Sequence, residues 1–165
     1  SLSQIFGLLE DGKPFSAAVG EAMALGFTEP DPRDDLSGMD VARKLLIIAR
    51  EVGLRQELDD IAVEPVVPMG AVEHVDRSEL IDALAAQDAA FAERCAAAAA
   101  EGKVLRYVAR LEDGQCRVSI EAVDRAGPLG GVGISGPDPL LKPYGIHTQG
   151  RQQLPQFVMQ LTGDG

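Results

Sequence analysis

The sequence predicts an α+β fold, with helices packed on one face of a mixed, mostly antiparallel sheet. Two observations predict it. Apolar residues recur at helical spacing through the first half of the chain, and a run of β-type residues around Glu112-Asp113-Gly114-Gln115 reads as a hairpin. At 165 residues, 45% of them hydrophobic and 25% charged, the chain suits one domain with a real core. With five Phe, two Tyr and no Trp, that core must come from Leu, Val, Ile and Ala.

In order, residues 2 to 9 place Leu2, Ile5, Phe6, Leu8 and Leu9 on one helical stripe, stopped by Asp11-Gly12. Pro14 to Leu25 is a second helix with Phe15, Ala18, Val19, Ala22 and Met23 inward, and Gly26 stands where a C-terminal glycine belongs. A loop follows to Ser37, in which Pro30 and Pro32 push Glu29 and Asp31 into extended conformations. Ser37 to Val52 is the strongest helix signal, with Ser37 as N-cap and Val41, Ala42, Leu45, Leu46, Ile48, Ala49 and Val52 on its apolar face. Asp40, Lys44 and Glu51 form a narrow charged face on the other side.

Residues 60 to 67 read as a strand ended around Pro65, hence an edge. One long helix is expected from Ser78 to Glu101, capped by Ser78 or Asp76; its Ala96 to Ala100 run permits close approach of another element, though high helix propensity accounts for it more plainly. Lys103 to Val123 is the hairpin, with Cys116, Val118, Ile120 and Ala122 inward and Arg117, Ser119 and Glu121 wet. Beyond Ala126 periodicity gives way to Gly and Pro, and only Leu154 to Leu161 regains strand-like density.

Composition narrows the function. A formal charge of −11 without a basic stripe argues against nucleic acid as partner. Cys95 and Cys116 show neither metal spacing nor a disulfide framework and read as buried thiols. No apolar run approaches membrane length and no secretory leader opens the chain, which makes the cytoplasm the default compartment. The opening SLSQIFG, without an initiator Met, is expected of a piece of something longer. Gly131 to Gly136 is a literal GxGxxG, but prolines follow it and no helix opens, so no Rossmann domain is encoded in this chain.

Chemistry concentrates between Thr28 and Lys44, where Glu29, Asp31, Asp34, Asp35 and Asp40 crowd against Arg33, Arg43 and Lys44. Asp40 and Lys44 at i, i+4 are ordinarily a solvated ion pair, and Ser37-x-x-Asp40 matches a capping box. Against those structural roles stands the company Lys44 keeps. A lysine among acids is favoured as ammonium, able to donate a proton to a forming oxyanion while the carboxylates bind a substrate ammonium. The acids lack EF-hand spacing, and His74 and His147 read as isolated loop residues, so no metal site is expected.

The stretch TEPDPRDDLSGMDVARKLLIIARE closely resembles the signature of the homoserine dehydrogenase family, particularly members fused to aspartokinase. SLSQIFG, FSAAVGEAMALGF and EGKVLRYVARLEDGQCRVSI agree more loosely, so the likeness covers roughly residues 1 to 125. The resemblance implies reversible hydride transfer between NADP or NAD cofactors and aspartate 4-semialdehyde, giving L-homoserine on the way to threonine and methionine. It implies Lys44 as proton donor, Asp35 orienting the lysine or touching substrate, Glu29 and Asp40 binding substrate, and Gly26 approaching the cofactor. It further implies a homodimer, a Rossmann domain ahead of this region and a returning glycine-rich segment, of which Gly163-Asp164-Gly165 would be the start. Residues 1 to 165 would then be a substrate-binding, catalytic and dimerisation domain, nearly inactive alone. The alternative is a noncatalytic dimerisation or ligand-binding module, against which the intact Glu29, Asp35, Asp40 and Lys44 set argues.

Overall fold

Helix α1 (Leu2–Glu10) and helix α2 (Phe15–Ala24) form where helical spacing places them. The computed structural model describes residues 2–131 and, as backbone, residues 147–148 and 157–159. Helix α2 opens after Pro14, which has no side chain able to cap it. Its free amide is met from far along the chain: Asp88 Oδ1 accepts from Ser16 N at 2.7 Å and Oδ2 from Ser16 Oγ at 2.8 Å. A carboxylate there also suits the positive end of the helix.

The long helix expected from Ser78 to Glu101 is broken. A 3-10 turn (Arg77–Glu79) leads into α5 (Leu80–Ala85), and α6 (Asp88–Ala100) starts afresh. Ala86 and Gln87 keep right-handed helical angles, so neither glycine nor proline signals the break. The break lets both α5 and α6 lie against α2, and it brings Asp88 to Ser16. Asp76 makes no side-chain cap. In the alanine run only Ala98 is buried, which leaves helix propensity as its explanation.

Two further helices, α3 (Pro32–Leu36) and α4 (Met39–Glu51), lie between. The hairpin is β2 (Lys103–Glu112) and β3 (Gln115–Asp124), paired from Lys103 opposite Asp124 to Glu112 opposite Gln115. Its two-residue turn has Asp113 at φ 51° and Gly114 at φ 75°, the primed geometry that matches strand twist. The strand expected at 60 to 67 shrinks to β1 (Ala62–Val63), between a 3-10 turn (Leu58–Asp60) and Pro65, parallel to β3 at the sheet edge. Within the strand-like 154 to 161 stretch lies β5 (Phe157–Met159), antiparallel to β2; β4 (His147–Thr148) pairs with β5. The order is β1-β3-β2-β5-β4. His147 thus has strand backbone, not the loop expected. Residues 132–136 of the glycine run, 137–146, 149–153 and 163–165 lie outside the described residues.

Leu105, Tyr107, Ala109 and Leu111 of β2, with Cys116, Val118 and Ile120 of β3, share one core with α1, α4 and α6. The expected alternation fails at two places: Ser119 is buried and Ala122 exposed. Burial at Ser119 is made tolerable by its hydroxyl, which donates to Glu121 Oε1 at 3.2 Å. Cys116 is buried, but Cys95 is only half-buried on the flank of α6; burial pushes both thiols up. Arg106, 1% exposed, is the largest fully buried side chain among the described residues. It donates to Glu10 at 2.6 Å, Gly130 O at 3.0 Å and Leu105 O at 2.9 Å.

On the same strands Arg110 bridges Glu112 at 2.6 Å and also pairs with Glu121. Burial works to raise the Glu121 carboxyl, but hydrogen bonds and charge from Arg110, helped by Ser119 and Arg117, hold it below the usual glutamate range.

Two outcomes follow for stability. Asp88→Ala should lower unfolding free energy by about 1–2 kcal/mol in urea titration, the scale of a lost helix cap. Because Glu121 titrates lower folded than unfolded, its contribution is complete above pH 4.5 and lost as pH falls through the lower folded value. Glu121→Gln should flatten that part of an acid-unfolding curve.

Candidate active site

The charged stretch sorts itself by what each side chain holds. Asp31 has extended backbone, as its place before Pro32 requires, and its carboxylate accepts from Arg33 N at 3.1 Å as the N-cap of α3. Pro32 takes the first helical position, where its missing N–H costs nothing. A short helix therefore sits inside the segment expected to be loop. Arg33 closes on Asp31 at 2.6 Å and donates to Val75 O at 2.9 Å and Val72 O at 3.3 Å, tying α3 to the following connection. Hydrogen bonding from Arg33 holds the Asp31 carboxyl below its usual range.

Ser37 is not the N-cap of α4. It ends α3, with its hydroxyl donating to Asp34 O at 2.7 Å and accepting from Met39 N at 3.3 Å. The N-cap is Gly38, left-handed at φ 74°, and the capping box with Asp40 does not form. A left-handed residue turns the chain between two helices too sharply for the Ser37 to Asp40 reciprocal pair. Asp40 instead meets Lys44 one turn on, Oδ2 to Nζ 2.9 Å, with the side chains 61% and 40% exposed. As an ion pair in that exposure it contributes a few tenths of a kcal/mol, at most about 1.

Glu29, Asp35 and Asp40 come together around one cleft of about 390 Å³, shared with Asp34, Ser37, Met39 and Arg43. Glu29 and Asp35 are joined directly, since Asp35 Oδ2 accepts from Glu29 N at 2.8 Å. That bond fixes the loop that carries the Glu29 carboxylate. Four acids against one guanidinium in the lining make the cleft receptive to an ammonium group. Lys44 is not in the lining; it joins the cleft through Asp40. Asp34 and Arg43, named in the charged stretch but given no role there, belong to the lining, as do Ser37 and Met39. Arg43 could have been found from its spacing three after Asp40 on the same helix.

Gly26 stands apart from the lining, three residues before Glu29. It closes α2 at φ 73°, with Gly26 N on Met23 O at 3.1 Å and Phe27 N on Ala22 O at 2.9 Å, a Schellman ending. A Cβ there would meet nothing within 4 Å, and Leu25 and Phe27 beside it are exposed. The backbone is open to close approach by a flat group. Among the described residues no strand runs into a glycine-rich turn and a helix. Nor do the described residues contain a metal-holding cluster of His, Cys, Asp or Glu, and no described helix is long and apolar enough to cross a membrane.

Comparison with known proteins matches residues 1–137 to the sequence model of the homoserine dehydrogenase family. The chain is 54% identical over 129 residues to the bifunctional aspartokinase/homoserine dehydrogenase of Haemophilus influenzae, covering 78% of this chain and 16% of that relative. A Candida auris protein of unknown function superimposes with a TM-score of 0.72 at 37% identity, over 78% of this chain and 38% of its own. A putative homoserine dehydrogenase of Archaeoglobus fulgidus gives 0.56 at 26% identity, over 78% and 34%. The chain thus spans well under half the length of each.

The Asp35 bond to Glu29 has a direct readout. Asp35→Ala should speed hydrogen exchange at the Glu29 amide toward that of an open loop, whereas Asp35→Asn, which keeps an acceptor oxygen, should retain most of the protection.

Proposed function

The chain belongs to the homoserine dehydrogenase family, and from that premise we propose that it forms the substrate-binding half of an enzyme interconverting L-homoserine and L-aspartate 4-semialdehyde. The observation that carries the reading is the Asp40 to Lys44 contact of 2.9 Å, which ties an ammonium donor to a carboxylate of the acidic cleft.

Glu29 and Asp40 bind the amino group of the substrate, and Asp35 keeps Glu29 in place through its amide. Arg43, the one cation among the described lining residues, suits the substrate carboxylate. Lys44 donates its proton to the aldehyde oxygen as negative charge develops there, yielding the alcohol. In the reverse direction the amine takes the hydroxyl proton. Its half-exposed position lets solvent restore the proton state between turnovers.

NADPH or NADH, when bound, supplies the hydride. The open, left-handed backbone at Gly26 suits contact with the flat end of such a cofactor. The same reading makes the working form a homodimer in amino-acid biosynthesis.

In the polypeptide that carries these residues together with its cofactor-binding part, Lys44→Ala should lower kcat by about 10²–10⁴ while leaving cofactor affinity nearly unchanged. Unchanged turnover would sink the assignment. Asp40→Asn should raise KM for homoserine more than it lowers kcat, measured by initial rates.

A further inference from the structure

The cleft is built in two halves. Glu29 and Asp35 come from α3 and the loop before it, Asp40 and Arg43 from α4, with Lys44 of the same helix joined through Asp40. The offset between the halves is set at one residue, Gly38, buried and left-handed at φ 74°, ψ 1°.

Gly38 lies directly against Tyr107 from the middle of β2. A Cβ built on Gly38 would overlap the Tyr107 hydroxyl, come within 2.9 Å of its Cζ, and lie 3.2 Å from Val63 Cγ1. Tyr107 is not free to withdraw. The Tyr107 ring is 5% exposed and stacks on Phe6, with centroids 6.4 Å apart and planes at 16°. Its hydroxyl donates to Glu64 O at 2.6 Å. Burial, then the charge of Glu64, pushes the phenol well above its usual range, which keeps it a donor. The segment beyond β1 grips the junction again, since Val66 N donates to Leu36 O at 2.8 Å.

We infer that Gly38 and Tyr107 are positioning residues, which set the distance between the two carboxylate groups of the cleft and so its fit to the amino-acid substrate. This rests on the cleft being the substrate site. Tyr107 does not line the cleft, so it acts through the Gly38 backbone and the first turn of α4. With φ positive and the Cβ position filled, a side chain at residue 38 strains the backbone that joins α3 to α4 and presses on the Tyr107 ring packed against it. A displacement near 1 Å in such a site costs about 100-fold in rate.

The test is steady-state kinetics and thermal melting of Gly38→Ala, Tyr107→Phe, the double variant and Lys44→Ala, in the polypeptide that includes the cofactor-binding part. Gly38→Ala should lower kcat/KM for homoserine by about 100-fold and Tyr107→Phe by about tenfold, mainly through KM, with KM for the cofactor unchanged. The double variant should lose less than the product of the two, because removing the hydroxyl frees part of the space the new methyl needs. Folded variants with lower melting temperature but wild-type KM and kcat would overturn the inference, as would losses that fall equally on the cofactor or multiply independently. If Gly38→Ala does not fold, Tyr107→Phe decides alone by the same criteria. Unchanged turnover in Lys44→Ala would remove the site itself and the inference with it. A crippled Lys44→Ala beside kinetically silent Gly38 and Tyr107 variants would overturn the positioning role only.

Discussion

The pairing of β2 with β3 is the interaction on which the rest of the structure depends. Every residue of β2 from Lys103 to Glu112 has a partner on β3, and on the helix side Leu105, Tyr107, Ala109 and Leu111 form the floor of the core. Helices α1, α4 and α6 lie against that floor, while α2 packs on α1, α5 and α6. Register in the hairpin is set locally by Asp113 and Gly114, whose positive φ angles few residue pairs adopt. A slip of one residue would turn Tyr107 away from Gly38 and put Arg106 or Val108 in its place.

Charge in this chain serves architecture before it serves chemistry. Asp31 caps a helix, Arg33 ties α3 to the connection at Val72 and Val75, Asp88 caps α2 across 72 residues, and Asp35 holds the Glu29 amide. Carboxylates accepting two or more such bonds are immobilised at little cost, because each bond satisfies an amide that a helix start or loop would leave open. Asp40 and Lys44, in contrast, spend their charge on each other at the surface of the fold. A half-exposed ion pair contributes little to stability, so the Asp40 to Lys44 contact gains its meaning from the cleft beside it.

Where the sequence could be read and where it could not follows from the range of the forces involved. Helices α1, α2 and α4 are legible because apolar residues at helical spacing mark the buried side of each, Leu, Ile and Phe in α1, Phe, Ala and Val in α2, Val, Ala and Leu in α4, and the hairpin because its turn chemistry is local. The cap of α4 was misread because Ser37-x-x-Asp40 matches a capping box, yet Tyr107, far along the chain, leaves room at position 38 only for glycine. The break between α5 and α6 carried no local signal, since both bridging residues keep helical angles and the gain comes from packing on α2 and from the Asp88 to Ser16 bonds. Ser119 and Ala122 broke the expected alternation for a similar reason. Burial depends on what covers a strand, which periodicity does not encode.

By itself the sequence determined the class of fold, the elements whose partners lie within a few residues, and the identity of the acids and the lysine that give the central stretch its chemistry. Tertiary structure decided which of those charges are spent as caps and ties and which meet in one cleft. It placed Lys44 one ion pair away from the lining, brought Arg43 into it, and joined the two halves of the site at a glycine pressed against a tyrosine 69 positions later in the chain. Contacts that close such distances cost chain entropy that only the assembled core can offset, which is why no local pattern announces them.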